Sequence, residues 1–113
     1  MATTIPLNTF KTTTANVTTS TTTVYTTPAG VTTVILLAQV SNIDATNSVT
    51  ISANHVRGSN VTSIVKNTII PITDATNLLL GKLILQTGDS FSITANANNR
   101  SQLLLSYLET ANA

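Results

Sequence analysis

Apolar and polar residues alternate along this chain in short runs, and the runs stop at Gly, Pro, Asn or Asp. Val49 to Val56 is the cleanest case, with Val49, Ile51, Ala53 and His55 on one face. Val31 to Val40 is apolar on both faces: Val34, Leu36, Ala38 and Val40 on one, Ile35 and Leu37 beside Gln39 on the other. That pattern suits a central strand covered on two sides. Ser63 to Ile70 is a further strand and ends at Pro71, which cannot donate to a ladder. Leu78 to Gln86 reads as a strand interrupted near Gly81; its period would also allow a short helix, against which Gly81 and the following turn argue. Phe91, Ile93 and Ala95 line one face of the next run, and Gln102 to Thr110 is the last. The breaks are turn sequences: "PAG" at 28–30, "NIDATNS" at 42–48, "RGSN" at 57–60, "ITDATN" at 72–77, "TGDS" at 87–90 and "NANNRS" at 96–101.

Strands of this length and spacing, with no credible helix, predict an all-β antiparallel β-sandwich, jelly-roll-like or Ig-like, of seven to eight strands. The expected core is Leu36, Ala38, Val40, Ile51, Leu83, Leu85, Phe91, Ile93 and Leu105.

The start of the chain is different. Fifteen of the first 33 residues are Thr, and before Val24 they alternate poorly with apolar positions. Threonine is β-branched, stiff at χ1 and suited to extended backbone. The expected organisation is an extended Thr-rich arm over 1–19, then a sandwich domain over 20–113 whose first strand is Ser20 to Thr27. Ile5, Leu7 and Phe10 are the arm's candidate interface residues, spaced so that an extended segment could insert them into a neighbour.

Composition sharpens this. Charged residues make up 8% of the 113 residues, against about 25% in an ordinary domain, while hydrophobic residues reach 42%. Disorder needs the opposite balance. A β-prone surface with so few charges is best understood as covered by neighbours, hence an expected homo-oligomer or larger assembly. The net charge is +1, with Lys11, Arg57, Lys66, Lys82 and Arg100 scattered, which argues against a nucleic-acid partner. "VILLA" at 34–38 is only strand length, so no membrane span is expected, and "MATTIPLNTFK" lacks the pattern of a secretory signal. Without cysteine there is no disulfide, thiolate metal site or cysteine nucleophile, which fits synthesis in a reducing cytoplasm.

Candidate chemistry is sparse. His55 is the sole histidine and has no evident catalytic partner; it reads as a strand-end or interface residue. Of the acids Asp44, Asp74, Asp89 and Glu109, the three aspartates lie in turns, where Asp caps backbone amides. The repeated "DATN" at 44–47 and 74–77 offers each loop one Asp and one Asn, too few carboxylates for a calcium site. Sequons at Asn16, Asn60 and Asn99 are what chance supplies in such a composition. Phe10, Tyr25, Phe91 and Tyr107 are too few for a stacking platform. No cofactor, metal or catalytic residue is expected.

"STTTVYTTPAGVTTVILLAQVSNIDATNSVTISANHV" resembles a recurrent opening in small virion structural proteins of tailed bacteriophages. "KLILQTGDSFSITANANN" and "LLLSYLE" resemble their closing pattern, and the similarity spans about Ser20 to Glu109. The resemblance rests on the order of these pieces, and the Thr-rich arm lies outside it. It implies a β-sandwich on a virion, made in the host cytoplasm, without catalytic residues. A capsid decoration or cement protein bound to the major capsid protein is the first expectation. A tail, collar or fibre subunit is the alternative within that class, and a carbohydrate-binding adhesin module the alternative outside it.

Overall fold

The computed structural model describes residues 8–112. Nine strands run through them: β1 Asn8–Asn16, β2 Thr22–Thr26, β3 Val31–Asn42, β4 Val49–Arg57, β5 Asn60–Ile70, β6 Ala75–Asn77, β7 Leu83–Leu85, β8 Ser90–Ala95 and β9 Ser101–Ala111. They form two antiparallel sheets. The first, called sheet A, has the order β1-β9-β3-β6, with β7 also on β3; sheet B has the order β2-β8-β4-β5. The chain passes from one sheet to the other at most connections, staying in sheet B only through the β4–β5 hairpin. With β6 and β7 sharing one position, this is the eight-strand, two-sheet arrangement of a jelly roll.

The strands form where β-branched runs meet turn residues that accept unusual backbone. In the β4–β5 hairpin, Arg57 pairs with Asn60, so only Gly58 and Ser59 turn the chain. Gly58 takes φ 59°, which such a tight hairpin needs and which a side chain would strain.

The core lies between the inner faces of the two sheets. Ala38 and Val40 of β3, Ile51 and Ala53 of β4, Leu85 of β7, Phe91 and Ile93 of β8, and Leu103 and Leu105 of β9 are all buried. Leu36 departs from the expected core. A bulge between Ile35 and Leu37 shifts the register of β3 against β9. The extra residue reverses the alternation, so Ile35 is fully buried while Leu36 is 37% exposed. Leu83 is partly buried against the core.

Residues 8–16 were expected in an extended arm. They are extended, but they form β1, which pairs with β9 over its whole length, from Asn8 opposite Thr110 to Asn16 opposite Gln102. Val17, just beyond, is buried in the core. A nine-residue ladder satisfies backbone groups that a free arm would leave to water, and the threonines of β1 make a fitting edge strand. Ile5 and Leu7 lie outside the described residues.

The run from Leu78 to Gln86 is strand only at β7. Leu78 and Leu79 turn into the core, and Leu80 stands fully exposed at the tip of the excursion. Asn77 repairs the broken ladder: its side-chain oxygen accepts from the amides of Ala38 and Leu79, each at 3.2 Å.

Candidate interaction surfaces and polar anchors

His55 and Arg57 sit two apart on β4, so both project to the same side at the strand's end. The "TGDS" turn before β8 brings Asp89 between them. Gly88 takes φ 87°, and its amide donates to the Thr27 carbonyl at 3.1 Å. Arg57 grips the carboxylate with Nε on Oδ1 at 2.9 Å and Nη2 on Oδ2 at 2.7 Å. The Gln86 amide donates to Oδ2 at 2.9 Å. His55 Nε2 lies 3.1 Å from Oδ2, and because an ionised carboxylate only accepts, that nitrogen carries the hydrogen. The Asp89 side chain is 2% exposed and that of Arg57 is 54%. The arginine holds the carboxyl far below its ordinary value against the opposing effect of burial, with the Gln86 amide and His55 adding to it. The sequence reading missed this cluster; its signal was a His-x-Arg pair on one strand face and an Asp in a tight turn.

A second network lies at the same end of the sandwich, on sheet A. Glu109 of β9 accepts from Lys11 at 2.8 Å and from the Tyr25 hydroxyl at 2.5 Å. That hydroxyl lies 2.7 Å from Thr33 Oγ1. Tyr25 stacks at a tilt on Tyr107, their ring centres 4.4 Å apart, and Tyr107 is hydrogen-bonded to Thr13 at 2.9 Å. Burial raises Glu109, but Lys11 and Tyr25 outweigh it and leave it below its ordinary value. Burial and the neighbouring carboxylate push Tyr25 up.

Asn42 bridges the two "DATN" segments at the opposite end of the sandwich: its backbone amide donates to the Asp74 carbonyl at 2.8 Å and its side chain to the Asn47 carbonyl at 3.0 Å. Asp44 accepts from the Thr46 amide and hydroxyl, both at 2.8 Å, and from Arg100 Nε at 3.1 Å. The Thr46 amide and hydroxyl hold its pKa at about 2. Asp74 accepts from the Ala75 amide at 2.8 Å. These are turn-shaping contacts. Asn42, buried at the end of β3, donates to the carbonyls of Asn47, Ile70 and Pro71, tying three segments together. Among the described residues no three His, Cys, Asp or Glu side chains are grouped to hold a metal. No helix there is long and apolar enough to cross a membrane.

The outer faces of the sheets remain. Between its edges sheet B turns Ser52, Asn54 and Thr94 outward, with Ser90 and Ser92 on the same face but buried. On sheet A, a groove of about 500 Å³ is lined by Thr14, Asn16, Gln39, Ser41, Gln102 and Leu104, with no aromatic ring on it. Phe10, the one candidate arm residue within the described chain, is 74% exposed on the outer side of β1.

No family model matches the chain, and no curated protein matches it. Solved structures do. One, from work describing Bacillus endospore appendages as a family of disulfide-linked pili, is 10% identical with a TM-score of 0.56, over 94% of this chain and 88% of that one. This chain has no cysteine, so that linkage has no counterpart here. A pentameric capsid protein isolated from metagenomic phage sequences is 16% identical with a TM-score of 0.46, over 89% of this chain and 62% of that one. A second structure of such a protein covers 64% of its own length at the same identity and TM-score. This chain thus spans less than two thirds of the capsid protein. At these identities the likeness to the appendage protein is one of fold, and the fold is the jelly-roll sandwich read from the strand order.

Proposed function

We propose that this chain is a non-enzymatic structural protein of a bacteriophage virion, first of all a capsid decoration or cement protein that binds the major capsid protein. The observation that carries the non-enzymatic part is the occupation of the ionisable groups. Asp44, Asp89 and Glu109 are each held by a cation of the same chain and by backbone or hydroxyl donors. A general acid or base must be free to exchange a proton with a substrate. These carboxylates instead join β4 to β8, β9 to β1 and β2, and the β3–β4 loop to the β8–β9 loop.

The scarcity of charge and the resemblance of Ser20 to Glu109 to virion proteins support the assembly part. In this reading Ile5, Leu7 and Phe10, the candidate interface residues of the 1–19 arm, contribute to the contact with a neighbouring subunit. A tail, collar or fibre subunit is the alternative position. The adhesin reading loses ground because the groove on sheet A offers amides and hydroxyls but no ring for a sugar to stack on.

The test is a mass-spectrometric inventory of purified virions. A copy number in fixed proportion to the major coat protein supports head decoration; a few copies per particle places the chain on the tail. Absence from the particle would overturn the virion reading.

A further inference from the structure

The cross-strand registers of sheet A align an apolar row across the whole sheet. Phe10 is opposite Leu108, Leu108 is opposite Val34, and Val34 is opposite Ile84. Directly opposed residues share a face. Their flanking neighbours Leu83, Leu85, Ile35 and Tyr107 point into the core, so this row points out. Phe10 is 74% and Ile84 49% exposed. The bulge adds to the row: it turns Leu36 outward beside it.

Among the described strand residues of sheet A the same face holds no charge; the nearest is Lys82, which precedes β7 and lies outside the strands. Beyond the row, β1 presents Thr12, Thr14 and Asn16, β9 presents Gln102, Leu104 and Ser106, and β3 presents Gln39 and Ser41. The cations and acids of sheet A, Lys11 and Glu109, lie on the inner side, paired to each other. A solvated antiparallel sheet normally puts polar residues on its outer face, where this one carries an apolar row. Sheet B differs: its central strands carry hydroxyls and amides there with only Val56 between them, and its exposed Val61 and Ile69 stand at opposite ends of the edge strand β5, so no apolar row spans that sheet.

We propose that the outer face of sheet A is the surface on which a second copy of this chain packs, sheet against sheet. Two arguments select a second copy. A charge-free face meets its own duplicate without repulsion, and a self-complementary patch gives a closed two-fold dimer. The area is also sufficient. Three strands of some nine residues, with the six residues of β6 and β7 beside them, at a spacing of about 4.8 Å make a face of roughly 500 Å². Two copies would then cover roughly 1,000 Å², the threshold for a specific interface and above the range of incidental contacts. Apolar contact would be concentrated on the row, with the amides and hydroxyls of the groove forming a polar flank.

The inference does not depend on the virion reading, and its test uses the isolated full chain. Sedimentation velocity over a concentration series should show a reversible monomer–dimer equilibrium. Ile84→Lys should weaken dimerisation at least tenfold while leaving the circular dichroism spectrum unchanged. Phe10→Ser, at an edge strand, is the second variant in case Ile84→Lys disturbs β7, and should weaken it likewise. Leu80→Ser removes a more exposed leucine outside this face and should leave the equilibrium unchanged. A chain that stays monomeric throughout overturns the proposal. So does a dimer indifferent to both Ile84→Lys and Phe10→Ser, or one that Leu80→Ser dissociates. Monomers whose binding to particles is lost in Ile84→Lys would also overturn it, giving the face to another protein.

Discussion

Arg57 holds Asp89 through two parallel hydrogen bonds of 2.9 and 2.7 Å, and the two residues lie 32 positions apart in the chain. The pair fastens the end of β4 to the turn that starts β8. Removing the arginine leaves a buried carboxylate with only His55 and the Gln86 amide. Because Arg57 itself is half exposed, water can partly replace it. Arg57→Ala should therefore lower the midpoint of urea denaturation, by less than the loss of a fully buried partner would. No loss of stability would mean that His55 and Gln86 suffice for Asp89.

Acid should weaken the sandwich. Asp89 and Asp44 are both held below their ordinary value of 3.8. A depressed carboxylate contributes stability that is complete above the unfolded value and is lost as pH falls through the folded one. The Asp44 share disappears between 3.8 and about 2, and the Asp89 share continues to lower pH. The melting temperature should fall as pH drops below about 4. In Asp89→Asn the fall should be shallower, since one of the depressed carboxylates is gone while Asp44 and Glu109 remain. An equally steep fall in that variant would remove Asp89 as a cause.

Core substitutions should separate the two sides of the bulge. Phe91 is fully buried, and Phe91→Ala should cost about 3–5 kcal/mol. Leu36, turned outward, should cost less than about 1 kcal/mol as Leu36→Ala, whereas Ile35→Ala should cost about 2–5 kcal/mol. Chemical denaturation of the three variants checks the order. The reverse order at 35 and 36 would mean that the bulge is not where it is described.

Thr73 has φ 56°, a left-handed backbone that a β-branched residue adopts at a cost. Its side chain is exposed and bonds only the neighbouring Ile72 carbonyl. Thr73→Gly relieves the strain and should raise stability by about 1 kcal/mol, visible as a higher melting temperature. A lower melting temperature would show that the Thr73 hydroxyl matters more than its backbone.

Tyr25 links β2 to β3 and β9 through Thr33 and Glu109. Tyr25→Phe keeps the ring against Tyr107 but removes the hydroxyl. It should cost about 1.5 kcal/mol, the range for a hydrogen bond to a charged group. A neutral result would mean that Lys11 alone satisfies Glu109.

Much of this molecule was legible from local order. Val49, Ile51 and Ala53, or Phe91, Ile93 and Ala95, face one way because side chains alternate along any strand, whatever it pairs with. Turns at Gly58 and Gly88 were readable because positive φ is a property of single residues. The all-β sandwich followed from these two kinds of signal. What stayed hidden needed two distant segments at once. Nothing between Asn8 and Asn16 announces β9, because ladder hydrogen bonds are made by backbone, which every residue but proline carries. The bulge at Leu36 depends on matching β3 to β9, and one extra residue there exchanged a core leucine for a surface one. The grip of Arg57 on Asp89 and the apolar row on sheet A arise only when the registers of several strands are set together. Alternation names the face of a strand, but the pairing of strands decides which faces are buried and which residues meet.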